Sequence, residues 1–366
     1  MSSRAYKLKK IPRGALAGAK SADIFLAGVG AVGGALIGQL NSLDRVKYDL
    51  NVIGFCNSTK VKWRGGEITT DELYGGRSKN WTEIIEKLKS SRKSGRPLIF
   101  VDATGSREVA DLYLELLESS IHIVTPSKIA NTLDQSYYEK LKNAARTNSV
   151  CYNYETTVGA GLPVIQAIEN LLDTGDEIIE VSGVVSGTMT YLFDQLEKGV
   201  PFSRAVVQAR SLGYAEPDPR DDLSGEDVAR KFLIVARTCG LEMEREEISV
   251  ESLIPEKLQD KDARSFLSLF SDYDGGWTKR ITEEKAAGRT LRYTGVLRDG
   301  EIRVGIRPVS IQSPIGRLTG TNNLIQIKSR RYHDQPLIIM GPGAGKEITA
   351  AGLLADIQKI LREIQG

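Results

Sequence analysis

Short apolar runs alternate with helix-type patterns over the first 150 residues of the chain. The apolar runs lie at residues 24–27, 50–55, 97–101 and 121–124. Between them, apolar residues recur at helical spacing around residues 36–40, 81–88 and 109–117. Strands that alternate with helices pair in parallel, because a tight turn cannot connect parallel neighbours. The pattern predicts an α/β domain with a doubly wound parallel sheet over residues 23–150.

The pattern changes after residue 151. Segments with alternating apolar and polar residues, at 290–297 and 301–309, lie among polar helical stretches, which predicts a mixed α+β domain over residues 151–335. A last apolar run at 338–339, a glycine-rich stretch and an apolar-periodic helix to residue 361 follow. They predict a C-terminal segment, residues 336–366, that returns to the first domain.

A basic arm, residues 1–22, precedes the first predicted strand. Residues 1–20 contain six basic residues and no acidic one. The same bias is typical of an organelle transit peptide. We favour a plain basic arm and keep the transit peptide as the alternative.

Composition narrows the class of protein and partner. Lys and Arg number 49 against 47 Asp and Glu, which gives a net charge of +2. This charge is too small to give the whole surface a positive potential that would attract nucleic acid or an anionic membrane. Three cysteines and two histidines are too few for a disulfide scaffold or a His-rich zinc site. No apolar run approaches the length of a membrane span. We expect a small-molecule partner and a location in the reducing cytoplasm.

A glycine turn between the first predicted strand and helix indicates a nucleotide site. It comprises six consecutive residues, namely Gly28, Val29, Gly30, Ala31, Val32 and Gly33. Gly28 permits the tight turn, Gly30 lets the backbone approach a pyrophosphate, and Gly33 lets the helix pack closely on the strand. The helix N-terminus offers N–H groups to the anion. In this position the turn predicts a Rossmann-type dinucleotide-binding domain.

The end of the second predicted strand bears on the choice of cofactor. An NAD site places an acid there for the ribose hydroxyls, whereas this chain has the neutral pair Asn57 and Ser58, followed by Lys60, Lys62 and Arg64. The cations favour the 2′-phosphate of NADP, and the neutral pair leaves NAD acceptable. The alternative is that the cations form only a solvated face.

The most polar segment, residues 213–231, contains a candidate proton donor. A helix-start signature at Ser224 and Asp227 precedes an apolar-periodic stretch that ends near Gly240. On that helix Asp227 and Lys231 lie at i and i+4, so the carboxylate can orient the ammonium. An ordinary surface ion pair has the same spacing. Since no histidine is a candidate here, Lys231 is the best available proton donor to a carbonyl under reduction.

Residues 213–231 resemble the signature of homoserine dehydrogenases. Further stretches similar to that family are 102–106, 125–128, 155–163, 186–191 and 343–349. The resemblance covers the chain from about residue 23 onward and matches the short form, without an aspartate kinase or a regulatory domain. It implies NAD(P)-dependent interconversion of aspartate 4-semialdehyde and homoserine, in threonine and methionine biosynthesis.

The resemblance also assigns roles to individual residues. It implies that Lys231 donates the proton, that Asp227 orients Lys231, and that Lys128 lies between nicotinamide and substrate. Substrate contacts are implied for Glu216 and Asp222, which would hold the amino group, and for Thr188 and Tyr214. Cofactor contacts are implied for Thr104, Ser106, Lys128 and Gly345. These add to the cofactor contacts already predicted for Ser58, Lys60 and the glycine turn.

A monovalent cation, usually sodium, is a further implication of the resemblance. Its ligands would be the main-chain carbonyls of four residues, Glu155, Val158, Ala160 and Leu162. The alternative is a plain loop ahead of the helix that starts near Pro163, because backbone cation sites leave little side-chain trace. Lys346, after the terminal glycines, departs from the family pattern, and the spacing there excludes a P-loop.

Two other functions and one assembly state stay open to test. A nucleotide sensor or assembly protein without turnover would keep the glycine turn, although it need not keep the complementary charges at Lys128, Asp222 and Lys231. A dehydrogenase of another small amino alcohol would differ only in chain length, which a pocket discriminates weakly. The resemblance implies a homodimer through the second domain, where a strand edge around residues 290–309 would otherwise be exposed.

Overall fold

The computed structural model describes residues 20–44, 47–63, 76–92 and 95–364. Most of the predicted basic arm and Arg64 lie outside these residues. The first strand begins at Lys20, three residues before the predicted start of the domain. Within the described residues, no helix is both long enough and apolar enough to cross a membrane.

A seven-stranded sheet forms the first half of the molecule, in the order β4-β3-β2-β1-β5-β6-β7. Its strands are β1 Lys20–Ala27, β2 Tyr48–Cys56, β3 Lys60–Trp63, β4 Arg77–Ser78, β5 Leu98–Asp102, β6 His122–Val124 and β7 Tyr152–Asn153. β1 pairs in parallel with both β2 and β5. The chain therefore moves outward from β1 in both directions, which confirms the doubly wound sheet.

Three strands of this sheet, β3, β4 and β7, were not predicted. β3 pairs antiparallel with β2, and β4 pairs antiparallel with β3. The turn before β3 depends on Asn57, whose side-chain oxygen accepts the N–H groups of Thr59 and Lys60. Strands of four and two residues are too short to show a hydrophobic period, so the sequence pattern does not predict them.

Helices cover both faces of the first sheet. They are α1 Ala31–Asn41, α2 Trp81–Arg92, α3 Arg107–Ala110, α4 Tyr113–Glu118 and α5 Gln135–Thr147. The helix expected at 109–117 is divided into α3 and α4, because the N–H of Leu112 donates to Val109 in a tighter turn. The apolar period spans both pieces, so the pattern alone predicts one helix.

A six-stranded mixed sheet forms the second half, in the order β13-β12-β8-β10-β11-β9. Its strands are β8 Ile178–Val184, β9 Ser249–Val250, β10 Arg289–Arg298, β11 Glu301–Ser310, β12 Asn322–Ser329 and β13 Leu337–Pro342. All its pairs are antiparallel except β9 with β11. The expected mixed α+β region is confirmed, and β10 lies inside the sheet rather than at its edge.

Helices of the second half pack against this sheet and against one another. They are α6 Val164–Asp173, α7 Gly187–Glu197, α8 Phe202–Ser211, α9 Pro219–Leu223, α10 Glu226–Thr238, α11 Ala263–Leu269 and α12 Asp274–Ala286. Their apolar side chains share one buried cluster with residues of the first half, such as Phe100 and Tyr154. The two sheets are therefore joined by a continuous core.

The last helix, α13 Lys346–Ile364, packs on the first sheet. Leu353, Ile357 and Ile360 are fully buried in a cluster with Ile24 and Leu36. The preceding strand β13 pairs with β12 of the second sheet, so the return to the first half begins at the helix. The numerical domain limits at residues 23, 151 and 336 stay a prediction.

Candidate functional site

The glycine turn lies at the carboxyl end of β1, where the sheet order reverses. Gly28 has φ +92°, a left-handed conformation that side chains rarely adopt. A Cβ there would lie 2.7 Å from the carbonyl oxygen of Ala103, which follows β5. The two strand ends are thus in close contact, and the crevice above them is where open α/β sheets bind nucleotides.

Gly30 and Gly33 differ in what surrounds them. A Cβ on Gly33 would collide with the carbonyl oxygen of Gly28, whereas a Cβ on Gly30 would meet nothing within 4 Å. Gly30 is the N-cap of α1 and has extended backbone. Gly33 is therefore needed for packing, while Gly30 borders open space at a helix N-terminus, where an anion is favoured.

A hydrogen-bonded turn at the end of β5 positions Thr104. The buried Asp102 carboxylate accepts the Thr104 N–H at 2.7 Å and its hydroxyl at 2.6 Å. Tyr113 donates its hydroxyl to Asp102 at 2.5 Å, and Ser106 donates its N–H to the Thr104 hydroxyl oxygen at 3.2 Å. Burial raises the pKa of Asp102, and the bonds from Thr104 and Tyr113 oppose that rise.

The end of β2 carries a group of cations. Ser58 is exposed in the turn to β3, which bears Lys60 and Lys62. Lys79, which was not predicted, follows β4 and donates its N–H to the carbonyl of Thr59 at 2.8 Å. Its ammonium lies 3.4 Å from Glu108. Lys79 reaches this turn through strand pairing, because it is about 20 residues away in sequence.

Three charged side chains meet between the two halves of the molecule. Asp227, on α10, accepts from Lys231 at 2.6 Å through one oxygen and faces Lys128 at 3.3 Å through the other. Lys231 also donates to the main-chain carbonyl of Val185 at 2.7 Å. Lys128 follows β6, so this contact joins the nucleotide-binding half to α10. The Val185 carbonyl was not predicted, because a main-chain acceptor leaves no side-chain signal.

The charges of this group determine its protonation. Burial raises the pKa of Asp227, but attraction to Lys231 and Lys128 outweighs it and lowers the value to about 2. Burial lowers the pKa of Lys231, and the negative charge of Asp227 opposes that shift. Asp227 is therefore a carboxylate at neutral pH, and Lys231 gives up its proton more readily than an exposed lysine.

The start of α10 differs from the expected cap. Ser224 is the C-cap of α9, and Gly225, with φ +79°, is the N-cap of α10. A Cβ on Gly225 would collide with the hydroxyl of Tyr293. The Asp227 carboxylate does not cap the helix, because it forms ion pairs with Lys128 and Lys231. The helix-start signature correctly predicted a helix but not the residue that caps it.

The expected substrate residues lie around the loop before α9. Asp222 accepts the N–H of Glu216 at 2.8 Å, and the Thr188 hydroxyl lies beside its carboxylate. The Thr188 hydroxyl donates to the carbonyl of Tyr214 at 2.5 Å. Burial raises the pKa of Asp222, with smaller contributions from Glu216 and Asp227. The structure thus places an acidic pair beside the lysine pair.

The expected cation loop connects β7 to α6. Gly159 and Ala160 both have positive φ, +79° and +54°. Among the described residues, no hydrogen bond ends on the carbonyl oxygens of Val158 and Ala160. Those of Glu155 and Leu162 accept local N–H groups at 3.4 and 2.9 Å. Among the described residues, the carbonyls of Val158 and Ala160 thus have no hydrogen-bond donor.

The carboxylate of Glu155 has another partner. It accepts the N–H groups of Ile165 and Gln166, at 2.7 and 2.8 Å, in the first turn of α6. Within the described part of the chain, no three His, Cys, Asp or Glu side chains are grouped as metal ligands. The Glu155 carboxylate is thus committed to the first turn of α6.

Gly345 lies where α13 begins, with φ +122° and no atom within 4 Å of an added Cβ. Lys346 and Glu347 line a cleft of about 510 Å³ together with Gly30 and Ala31. The N-termini of α1 and α13 therefore border one space. The main-chain carbonyl of Glu347 accepts a hydrogen bond from Gln39, in the last turn of α1, at 2.9 Å, and the cleft extends from there to Gly30.

The combined arrangement fits reduction of an aldehyde that carries an ammonium group. The crevice offers a nucleotide site, Lys231 offers a proton at a buried position, and the acidic pair offers a site for a cation. The cluster is coupled electrostatically, since Asp222 raises the pKa of Lys231. Lys128, Asp227, Lys231 and Asp222 thus lie together where the two halves meet.

Known proteins resemble the chain over nearly its full length. A family model described as homoserine dehydrogenase matches residues 163–358, and one described as the homoserine dehydrogenase NAD-binding domain matches residues 28–155. The homoserine dehydrogenase of Saccharomyces cerevisiae is 36% identical over 361 residues, which cover 94% of this chain and 99% of the yeast protein. The matches include both halves of the molecule.

Longer relatives and a solved structure are also similar. A bifunctional aspartokinase/homoserine dehydrogenase of Haemophilus influenzae is 36% identical over 94% of this chain, which spans 43% of that relative's length. A hyperthermophilic archaeal homoserine dehydrogenase in complex with NADPH has a TM-score of 0.73 and 25% identity, covering 94% of this chain and 98% of the archaeal chain. That fold includes both sheets.

Proposed function

This chain belongs to the homoserine dehydrogenase family, and from that premise we propose that it interconverts aspartate 4-semialdehyde and homoserine with a nicotinamide cofactor. The observation that carries the proposal is the Lys128–Asp227–Lys231 group beside Asp222. A lysine poised to protonate an alkoxide next to an acidic pair complements a substrate with an aldehyde and an ammonium group.

Each charged residue has a distinct role in this proposal. The reduced nicotinamide, when bound, supplies a hydride to the aldehyde carbon. Lys231 gives its proton to the oxygen of that carbon, and in the reverse direction takes the proton from the hydroxyl of homoserine. Asp227 holds Lys231 in place and stays ionised, while Glu216 and Asp222 hold the substrate ammonium. General acid assistance of this kind contributes about 10²–10⁴-fold.

A substrate panel tests the proposed reaction. Purified protein is given NADP⁺ with homoserine, serine or a homologue one methylene longer, and the appearance of reduced nicotinamide is followed by absorbance. We expect turnover with homoserine and weaker turnover with the others. Preference for another amino alcohol would identify a different dehydrogenase, and no turnover with any of them would favour a nucleotide sensor.

We propose NADP as the preferred cofactor, with NAD accepted. Lys60 and Lys62 lie on β3, directly after the turn at the end of β2, and the main-chain N–H of Lys79 bonds Thr59 in that turn. A 2′-phosphate bound there would form charge-assisted hydrogen bonds with such lysines. The Asn57 side-chain oxygen is already used by the turn, so Ser58 is the better partner for a ribose hydroxyl. The glycine turn fits the pyrophosphate, because Gly30 leaves open space at the N-terminus of α1.

Single lysine substitutions test this preference. Replacing Lys60, Lys62 or Lys79 with Ala should raise the KM for NADP about tenfold in at least one variant and leave that for NAD nearly unchanged, since charged hydrogen bonds contribute about 1.5–3 kcal/mol. Lys89→Ala, on the exposed side of α2 beside Glu115, is the control. Equal effects on both cofactors would show that these lysines form a solvated face.

We propose that the loop at residues 155–162 binds sodium through main-chain oxygen. The uncommitted carbonyls of Val158 and Ala160 support this, because hard cations prefer oxygen ligands. Activity is measured in sodium chloride and in choline chloride at equal ionic strength. We expect higher activity in sodium, and equal activity in both salts would contradict the site.

We propose a homodimer through the second sheet. Beyond β11 the sheet continues with β9 over only two residue pairs, so most of the outer edge of β11 is unpaired by described strands. At the opposite edge of the same sheet, on β13, Ile338 and Met340 are 41% and 61% exposed, and this apolar patch is the surface that the test addresses. Sedimentation should show a dimer that Met340→Asp weakens and that Leu212→Asp, at an exposed position after α8, does not. A wild-type monomer at micromolar concentration would contradict the proposal.

A further inference from the structure

Arg237 is a fully buried arginine in the last turn of α10, and all its N–H groups are engaged. Nη1 donates to the carbonyls of Asn131 and Leu133, at 2.9 and 2.6 Å. Nε and Nη2 donate to the carbonyl of Met243, at 3.2 and 2.8 Å, and Nη2 also bonds Glu244 at 3.0 Å. A guanidinium has five N–H donors, so these bonds use the whole group.

The carbonyls bound by Nη1 belong to the turn that directly follows Lys128. Residues Ala130–Thr132 form a single 3-10 turn, and the Thr132 hydroxyl donates to the carbonyl of Lys128 at 3.0 Å. The chain from Lys128 to Leu133 is therefore compact. Whatever fixes the end of this turn also fixes the backbone from which the Lys128 side chain extends.

Arg237 and Asp227 attach the same turn to the same helix at two separate points. Asp227, in the first turn of α10, faces the Lys128 ammonium at 3.3 Å. Arg237 lies ten residues later, about 15 Å along the helix axis. One contact alone would allow the turn to pivot on the helix, whereas two contacts this far apart fix its orientation.

Stability alone does not explain a charge at this position. A buried cation costs desolvation energy, and well-packed apolar residues often stabilise such a site as well or better. The only carboxylate bound to this guanidinium among the described residues, Glu244, is itself 44% exposed. The distinctive property of arginine here is geometric, since one rigid planar group binds two chain segments at once.

We propose that Arg237 is a positioning residue for the reaction, acting through Lys128. It sets the place of the Lys128 ammonium relative to Asp227 and Lys231, and it does not touch substrate or cofactor. This inference rests on the proposed function, because Lys128 matters only if the group between the two halves performs the proton transfer.

Steady-state kinetics of Arg237→Gln provide the first test. We expect kcat for homoserine oxidation to fall about 10- to 100-fold, the cost of a misplaced group in an active site, with little change in the Kd for NADPH. Arg237→Lys, whose ammonium can still reach the carbonyls of Asn131 and Leu133, should recover part of the loss. Glu244→Gln is the control, because it removes the charge partner and leaves the bonds to the turn. Equal loss in Glu244→Gln would overturn the proposal.

A double-mutant cycle with Lys128 separates positioning from general stability. In a Lys128→Met protein Arg237 has no side chain left to place, so adding Arg237→Gln should change kcat by no more than about twofold. If the loss of kcat in the double variant equals the product of the losses in the two single variants, the proposal is overturned. A wild-type protein without homoserine oxidation would instead refute the proposed function, so the two failures are distinguishable.

Discussion

At the scale of single residues, the site depends on the balance of charge around Asp227. Two lysines share this carboxylate, and their attraction lowers its pKa to about 2. Burial pushes the pKa of Lys231 down, whereas Asp227 pushes it up. The carboxylate therefore controls the pH range over which Lys231 holds the proton that aldehyde reduction requires.

Asp227→Asn should move the pH profile of the reaction. Without the carboxylate, burial and the charge of Lys128 lower the pKa of Lys231 further, so the protonated form is lost at lower pH. The alkaline limb of kcat for aldehyde reduction should shift to lower pH, as should the acidic limb for homoserine oxidation. Glu226→Gln, beside Asp227 but paired with Arg245, should leave both limbs in place. An unshifted limb in Asp227→Asn would exclude Lys231 as the titrating group.

Asp222→Asn should weaken substrate binding without affecting the cofactor. Loss of a charged hydrogen bond to the substrate ammonium should raise the KM for homoserine about 10- to 100-fold. The exposed neighbour Asp221→Asn is the control and should have almost no effect. Substrate titrations at saturating NADP⁺ measure both variants, and an unchanged KM in Asp222→Asn would remove this residue from the ammonium site.

The sequence predicted some contacts of these residues and not others. The pair Asp227 and Lys231 was predictable because four residues along a helix bring side chains together. The Val185 carbonyl and Lys79 were not, since a main-chain acceptor has no residue-type signal and strand pairing brings Lys79 to its turn. The role of Lys128 came from the family resemblance, and its contact with Asp227 is a long-range feature of the fold.

At the scale of elements, the glycines in the turn from β1 to α1 have different roles: one is needed for packing and another for binding. Gly33 has no room for a methyl group, while Gly30 has open space around it. The same type of residue thus serves two purposes within one turn. Substitution at these positions should separate the stability of the fold from affinity for the cofactor.

Gly30→Ala and Gly33→Ala should fail in different ways. Gly30→Ala should keep the wild-type Tm and raise the Kd for NADPH at least about tenfold, because its methyl group occupies the space of the pyrophosphate. Gly33→Ala should lower Tm as well, because α1 must move away from the carbonyl of Gly28. Thermal melts and nucleotide fluorescence titrations measure both. Tight NADPH binding by Gly30→Ala would place the pyrophosphate elsewhere.

Element prediction succeeded where the period of apolar residues was clear. The pattern of 24–27 and 36–40 predicted β1 and α1, and alternation predicted β10 and β11. It missed β3, β4, β7 and β9, because strands of four or two residues show no period, and it also missed the longer strands β8 and β12. It joined α3 to α4 across the turn at Leu112. The start of α10 shifted from Ser224 to Gly225, since close packing against Tyr293 decides that residue.

At the scale of the whole molecule, α13 links the last strand of the second sheet to the face of the first. Its residues Leu353 and Ile357 are fully buried against β1 and α1. Lys359 bonds Glu169 of α6 at 2.9 Å. The helix therefore contacts both halves, and its N-terminus borders the nucleotide cleft.

Leu353→Ala should destabilise the fold. Deleting a buried leucine side chain leaves a cavity between α13 and the first sheet, at a cost of about 2–5 kcal/mol. Urea unfolding should show this lower free energy of unfolding, with an unchanged dependence of that free energy on urea concentration. Leu354→Ala, next to it and only partly buried, is the control. Equal stability of the two variants would contradict the packing of α13.

The large-scale architecture was predictable because alternation of strand and helix specifies a doubly wound sheet. The order of the second sheet was not, since β8 separates β10 from β12 through pairs distant in sequence. The convergence of Lys128 and Lys231 depends on that docking of the two halves. Local patterns do not encode it.

Proton transfer by Lys231 can be measured in the variant Lys231→Met. Methionine keeps the length and apolar stem of the side chain and removes the charge. We expect kcat to fall about 10²–10⁴-fold in both directions, while the Kd for NADPH measured by fluorescence stays near that of the wild type. Near-full turnover in Lys231→Met would contradict proton transfer by Lys231.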